Sequence, residues 1–426
     1  MSEFEVIDSN NIRHCELNLN DNFVGTLLEF KSRLSATKNL KKIYTRILNG
    51  VFNGEGFRLP APWGGGYICS YDSFKFKWSR NVILFQVDGD YIAIVQKYYF
   101  IDQIFFFNKR TLLKLNETFE DDQNFCSSLY DDIADFIDNN ESLGKIKKPL
   151  LSLETNRPFH TYYPILGSLC FINNFVSDKE VFYSKQATSF LDFESFFSWL
   201  NRSETLDEVH STYQIRTECW SFSSMTDKDS EIVEYAKNYK IRDETIESTL
   251  DQCDILIWLD LNSEKRSLQN RLSLFERILE HIRERQSQYP ITLYLDGLTQ
   301  PLESRTPKVF DSDKTELEKA LTYFSELGIT NFIVGSGLNP YEKLKVASKA
   351  SFFASDAGTA SIYPDRFCKI EGIIYKPNGW AAPGHLHFNS TIVPEKYIRN
   401  LDNTPPVNCN YLININFSIN FFERGQ

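Results

Sequence analysis

Methionine is almost missing from this chain: there are 2 in 426 residues, against 35 Phe and 21 Tyr. Apolar volume therefore falls to rigid rings, which implies aromatic cores or clefts with stacking surfaces. The 8 Cys (Cys15, Cys69, Cys126, Cys170, Cys219, Cys253, Cys368, Cys409) include no CxxC pair. That spacing excludes both a zinc-ribbon pattern and a disulfide framework, and suits reduced thiols in a cytoplasm. There is no long basic run. Lys and Arg total 46 against 57 Asp and Glu, for a net charge of −11, which argues against nucleic acid as a partner. No stretch approaches the roughly 20 apolar residues of a membrane span. The start, MSEFEVIDSNN, is acidic where a secretion signal needs a basic head and an apolar run. A cytoplasmic protein with at most peripheral membrane contact is expected. Internal repeats and low-complexity tracts are also lacking. Gly54, Gly56 and the run Gly64-Gly65-Gly66 match neither a P-loop nor a dinucleotide fingerprint, and suit a flexible acceptor-side loop or an ordinary one.

What remains is an ordinary globular balance, 42% hydrophobic and 24% charged, at a length that suits two domains of roughly 200 residues each. Asp21 to Val51 has the apolar spacing of one or two amphipathic helices ending near Gly50. From Tyr67 to Leu115, the runs VILFQV, DYIAIV and QIFFF predict an antiparallel meander with a hairpin turn at Asp88-Gly89. Asp88-Gly89-Asp90 also matches a metal-holding Asp-x-Asp pattern, but its place between two apolar runs favours the turn. A helix over Glu120–Asn140 follows, then short strands and the segment RPFHTYYPILG. The polar stretch Asn201–Ser230 is the expected inter-domain connection.

After Asp251 the pattern alternates: strand DILIWLDL, helix Ser267–Gln288, strand ITLYLDGL, helix Lys314–Leu327, strand NFIVGS, helix YEKLKVASKA, strand SFFAS, loop DAGTAS and a strand near GIIYK. Strands separated by helices imply right-handed crossovers and a mainly parallel sheet, with ligands at its carboxyl edge. Asp356, Gly358, Thr359 and Ser361 fall at that edge. Small residues there let the backbone approach a ligand, N–H groups attract a diphosphate, hydroxyls add donors, and Asp356 would hold the loop or a ribose hydroxyl. A plain strand-to-helix cap is the competing explanation. Lys265 and Arg266 follow the first strand, where cations would neutralise a leaving diphosphate or simply sit in a solvated turn. Asp296 ends the ITLYLDGL strand, either facing the site or starting an Asp-Gly turn. His385 and His387 in PGHLHF are candidates for donor contact or a loop role, with no third metal ligand evident.

This succession, over roughly residues 251 to 380, resembles the C-terminal half of GT-B-fold glycosyltransferases, especially bacterial enzymes that build capsule or O-antigen polysaccharides. DAGTAS is similar to the Asp-x-Gly loop of the heptosyltransferase-like group, although Ser361 stands where that group commonly has His. The resemblance implies an α/β fold of two Rossmann-like domains, the N-terminal one with an added antiparallel meander. Residues 1–240 would be the acceptor side. Residues 245–426 would bind the nucleotide-sugar donor, with the segment Tyr397–Gln426 crossing back to the first domain. The pair of glutamates eight positions apart that marks many retaining members is absent, which favours an inverting reaction; donor-side cations and amides would stabilise the departing diphosphate without a bound metal. No cofactor is implied, the nucleotide-sugar being a substrate, and the acceptor would be a glycan or lipid-linked glycan. In the N-terminal half, RPFHTYYPILG resembles a segment of capsule-type glycosyltransferases. His160 is the candidate base, with Arg157, Tyr162 and Tyr163 on the acceptor side. Two other readings stay open: a different nucleotide-sugar enzyme, such as an epimerase or phosphotransferase, and a non-catalytic glycan-binding module.

Overall fold

The computed structural model describes residues 4–8, 10–12, 16–30, 37–76, 80–97, 100–115, 122–139, 148–153, 157–176, 181–184, 189–203, 212–216, 227–261, 266–286, 288–304, 309–380 and 389–417. The chain divides into two compact units. The first comprises residues 1–155, 160–187 and 193–224; the second takes residues 156–159, 188–192 and 225–426.

In the first unit, β1 (Glu5–Asp8) precedes α1 (Asp21–Phe30) and α2 (Thr37–Phe52). β2 (Arg58–Pro60), β3 (Tyr67–Phe76), β4 (Arg80–Val87), β5 (Asp90–Lys97), β6 (Phe100–Phe106) and β7 (Thr111–Lys114) then form the meander. These make a 7-stranded sheet in the order β1-β7-β6-β5-β4-β3-β2, antiparallel except that β1 runs parallel to β7. Val82, Leu84, Ala93, Val95, Phe105 and Leu112 line the face covered by α3 (Asp122–Asn139), which contributes Phe125, Cys126, Leu129 and Ile133. Their sequence neighbours Ile83, Phe85, Ile92 and Ile94 are buried as well, so the strands appear as continuous apolar runs rather than alternating ones. The β4–β5 turn has positive φ at both Asp88 (50°) and Gly89 (83°), the type I′ geometry that matches strand twist. Asp90 Oδ1 accepts the N–H groups of Tyr91 (2.7 Å) and Asn108 (2.9 Å). A structural turn, not a metal motif, accounts for Asp88-Gly89-Asp90.

β8 (Lys148–Ser152) leads to α4 (Pro158–His160), a π-helical turn (Thr161–Ile165) and α5 (Leu166–Ile172). β9 (Val181–Ser184), α6 (Phe193–Phe196), β10 (Leu200–Ser203) and β11 (Thr212–Arg216) follow. The four strands form a parallel sheet in the order β10-β9-β8-β11. The stretch expected to be a plain connection thus contains β11, whose Tyr213 and Ile215 alternate with polar residues as a strand requires. A parallel sheet with helices and an antiparallel meander thus share this unit.

The second unit includes α7 (Lys228–Lys237) and α8 (Glu244–Gln252), the latter capped by Asp243. β12 (Ile255–Asp260), α9 (Arg271–Arg285), β13 (Ile291–Asp296), α10 (Asp311–Glu326), β14 (Asn331–Val334), α11 (Pro340–Lys349), β15 (Phe352–Asp356), a π-helical turn (Ile362–Phe367), β16 (Gly372–Tyr375) and β17 (Ser390–Ile392) follow. All pairings in this 6-stranded sheet are parallel, in the order β14-β13-β12-β15-β16-β17. Counted from β12, that is 3-2-1-4-5-6, the doubly wound Rossmann order, whose direction of winding reverses between β12 and β15. Leu274, Phe275 and Ile278 of α9 and Ala320 and Phe324 of α10 pack with Ile257, Leu259, Leu293 and Leu295 on one face. α11 is set by Pro340 at its first turn and an Asn339/Glu342 capping box.

Of the segment Tyr397–Gln426, residues 397–417 are described, and 418–426 lie outside the described residues. β18 (Ile398–Asn400) and β19 (Tyr411–Ile413) pair with each other, Tyr411 bridges Leu268, and Asn270 bonds the Ile413 backbone at 2.7 and 3.1 Å. The buried rings and strand ends of the sheet supply the apolar and polar partners that hold residues 397–417 there. Among the described residues no helix is long and apolar enough to cross a membrane.

Candidate functional site

Adjacent strands β13, β12 and β15 each end in aspartate: Asp296, Asp260 and Asp356, at most 7% exposed. Three carboxylates at one buried edge repel one another, so cations and hydrogen bonds must compensate them. Asp296 Oδ1 takes the Lys343 ammonium at 2.5 Å, which also reaches the Gly297 carbonyl at 2.5 Å. Burial pushes the Asp296 carboxyl up to about 7, with Lys343 opposing and Asp260 adding to the rise. Lys343 has no exposed surface. This pair is closed on itself.

Asp356 is held differently. Its Oδ1 accepts Arg266 Nε at 2.5 Å and its Oδ2 accepts the Tyr411 hydroxyl at 2.8 Å, while its own N–H donates to Asp260 Oδ2 at 3.0 Å. Burial pushes it up to about 6, against the pull of Arg266. Of the two roles expected for Asp356, holding the loop is the one these bonds perform. Arg266 also donates to the Ala357 carbonyl, and its guanidinium lies 4.0 Å from the centre of the Trp380 ring. Its Nη1 donates to none of the described residues. The Arg side chain is thus aimed by three groups and keeps one donor available.

The loop after β15 passes through Gly358 at φ 132°, where a Cβ would meet Arg266 Nη2 at 2.8 Å. Only glycine allows both that backbone and that close guanidinium. Ser361 is fully buried, its hydroxyl donating to the Gly358 carbonyl (3.0 Å) and facing the Gly358 N–H (3.2 Å). It closes the loop from inside. Thr359 is half-buried, so its side chain is the loop hydroxyl that reaches outwards. Among the described residues the N–H groups of Thr359, Ala360 and Ser361 have no acceptor, a short run of the kind that receives oxyanions. The element that follows is a six-residue π-helical turn, not the α-helix that a dipole argument would need.

Arg266, Asp356, Gly358 and Thr359 are therefore brought together at the β12–β15 edge; Asp296 stands one strand away in its own pair; Lys265, His385 and His387 lie outside the described residues. The sequence reading missed Asp260, Trp380, Tyr411 and Lys343. Asp260 had a usable signal, as the last residue of the first apolar strand. Trp380 follows the turn after GIIYK. Tyr411 had none, being 55 residues from the carboxylate it meets. In the first unit, His160 is half-buried, but Tyr162 and Tyr163 are fully buried. Both rings lie in the buried interior of that unit.

No family model matches the sequence and no curated protein matches it. Among solved structures, a family 9 glycosyl transferase from Veillonella parvula is 8% identical, with a TM-score of 0.35 over 58% of this chain and 85% of its own. UDP-GlcNAc 2-epimerase from Methanocaldococcus jannaschii is 11% identical, with a TM-score of 0.30 over 74% of this chain and 77% of its own. S. aureus TarM, solved with UDP among its ligands, is 12% identical, with a TM-score of 0.19 over 93% and 78%. Scores at this level leave the site to be argued from its own geometry.

Proposed function

We propose that the second unit binds a nucleotide-sugar by its diphosphate, and that the protein is a glycosyltransferase delivering the sugar to a glycan or lipid-linked glycan acceptor in cell-surface polysaccharide synthesis. The observation that carries the reading is the Gly358–Ser361 loop. It sits where the winding of a 3-2-1-4-5-6 parallel sheet reverses, with three N–H groups that no acceptor among the described residues takes and an aimed arginine beside it. These donors suit the charge that grows on a departing nucleoside diphosphate, and an array of amides and a guanidinium supplies it without a metal. Inversion and the roles of His160 as base and Arg157 at the acceptor belong to the same proposal.

The test is calorimetric titration of the whole chain with nucleoside diphosphates and their sugars, followed by turnover with a glycan acceptor. One nucleoside diphosphate should bind and raise the melting temperature, because a ligand of the folded state stabilises it. His160→Ala should then keep donor binding and lose turnover. If no nucleotide binds, the proposal fails. If nucleotide binds but the sugar is hydrolysed or epimerised without acceptor, transfer is excluded.

A further inference from the structure

The first unit carries a second candidate site, lined by Gly56 and Gly66 of the glycine-rich loop and by none of the donor-side residues. α1 turns Phe23, Val24 and Leu27 into the core, which leaves Asp21, Asn22, Gly25 and Glu29 on its other face. α2 buries Tyr44, Ile47, Leu48 and Val51 and turns out Arg46, Asn49 and Asn53. The β2–β3 hairpin adds Arg58 and Tyr67. These elements enclose a cleft of about 920 Å³, a size typical of small-ligand sites.

Two features separate it from an ordinary dent. Gly25 lies inside α1, where glycine weakens a helix, yet a Cβ there would meet nothing within 4 Å. Internal packing does not require this glycine; a larger residue would take up space in the cleft. Tyr67 is 68% exposed, the most exposed large hydrophobic side chain among the described residues, and the Arg58 guanidinium lies 5.2 Å from its ring centre. A ring held on one side and open on the other is a stacking platform.

The rest of the lining makes hydrogen bonds. Asp21, Glu29 and Glu55 share the lining with Arg46 and Arg58 and with the carboxamides of Asn22, Asn49 and Asn53. The near balance of charge gives no preference for phosphate or for a polycation. Donors and acceptors together beside an aromatic ring match paired hydroxyls and the C–H face of a pyranose. We infer that this cleft binds a neutral oligosaccharide. The inference stands apart from the nucleotide-sugar reading, since the residues differ and no nucleotide is required.

The experiment is an array of neutral hexose and N-acetylhexosamine oligosaccharides, with acidic glycans alongside, probed with the full chain and followed by saturation-transfer NMR on the hits. Neutral glycans should be retained. Tyr67→Ala and Gly25→Trp should each weaken binding by at least about tenfold, while Gly25→Ala stays within about twofold. The melting temperature and any nucleoside diphosphate affinity should not change. Retention of no neutral glycan, a preference for acidic ones, or binding indifferent to both disruptive variants would overturn the inference. Glycan binding that follows Tyr67 in a protein that binds no nucleotide would sink the transferase proposal and leave this one standing.

Discussion

Asp296 and Asp356 end neighbouring parts of one sheet, both buried, both held by a cation, both pushed above the usual carboxylate range. The difference lies in the cation. Lys343 spends its ammonium on Asp296 and the Gly297 carbonyl with no surface left. Arg266 keeps 13% of its side chain exposed and a nitrogen that none of the described residues takes. A compact ammonium can be sealed in, whereas a flat guanidinium can bind an aspartate, a carbonyl and a ring and still present an edge. The comparison teaches that a carboxylate at a strand end does not by itself mark a site; what its partner has left over does.

Breaking the sealed pair should produce the largest effect. Lys343→Met leaves a buried carboxylate uncompensated and should cost about 3–5 kcal/mol in urea unfolding. Combining it with Asp296→Asn should bring stability back to within about 1–2 kcal/mol of the parent. If Lys343→Met is harmless, the pair is not the structural element described. On the open side, Gly358→Ala forces a non-glycine residue to φ 132° against Arg266 and should cost about 1–3 kcal/mol; nucleotide binding should be lost with it. Arg266→Ala should weaken nucleoside diphosphate binding by at least about tenfold, about 1.4 kcal/mol. Lys at that position should not restore it, since it can neither fork nor stack.

A carboxylate met by a hydroxyl and by no cation among the described residues extends the series. Asp365 is buried, bonded by the Ser390 hydroxyl at 2.7 Å, and pushed by burial from 3.8 up to about 6. A native acid with a raised pKa keeps its proton where the unfolded chain has released it. Its contribution to stability is therefore full below about 4, declines as pH rises and is lost above about 6 to 7. Asp365→Asn should flatten that decline, so urea midpoints of parent and variant should converge at pH 4.5 and separate at pH 7.5, the variant being the more stable. The smallest effect belongs to the meander: Asp88→Asn keeps a residue suited to positive φ and should stay within about 0.5 kcal/mol, with unchanged activity.

Much of the second unit was legible because its strands are buried on both faces and so form unbroken apolar runs between helices. ILIWLD, ITLYLD and FFASD were each recognisable in this way, and Asp356 and Arg266 were found from their places at strand ends. β11 escaped because only Tyr213 and Ile215 mark it in a polar stretch. The burial of Tyr162 and Tyr163 was not legible, because an aromatic pair beside a histidine has the same composition in a site as in a core. Lys343 was hidden on a helix face, where spacing gives no hint that it turns inwards to a strand 47 residues away.

The Asp260 side chain takes the main-chain N–H of Asp356 where β12 and β15 cease to pair, their register ending at Leu259 and Ala354. A backbone proton bonded to an anion at the mouth of a crevice has an unusually sensitive magnetic environment. In a labelled sample, the Asp356 amide cross-peak would act as a resident voltmeter, moving when a charged ligand arrives and staying still when one merely sticks elsewhere on the surface.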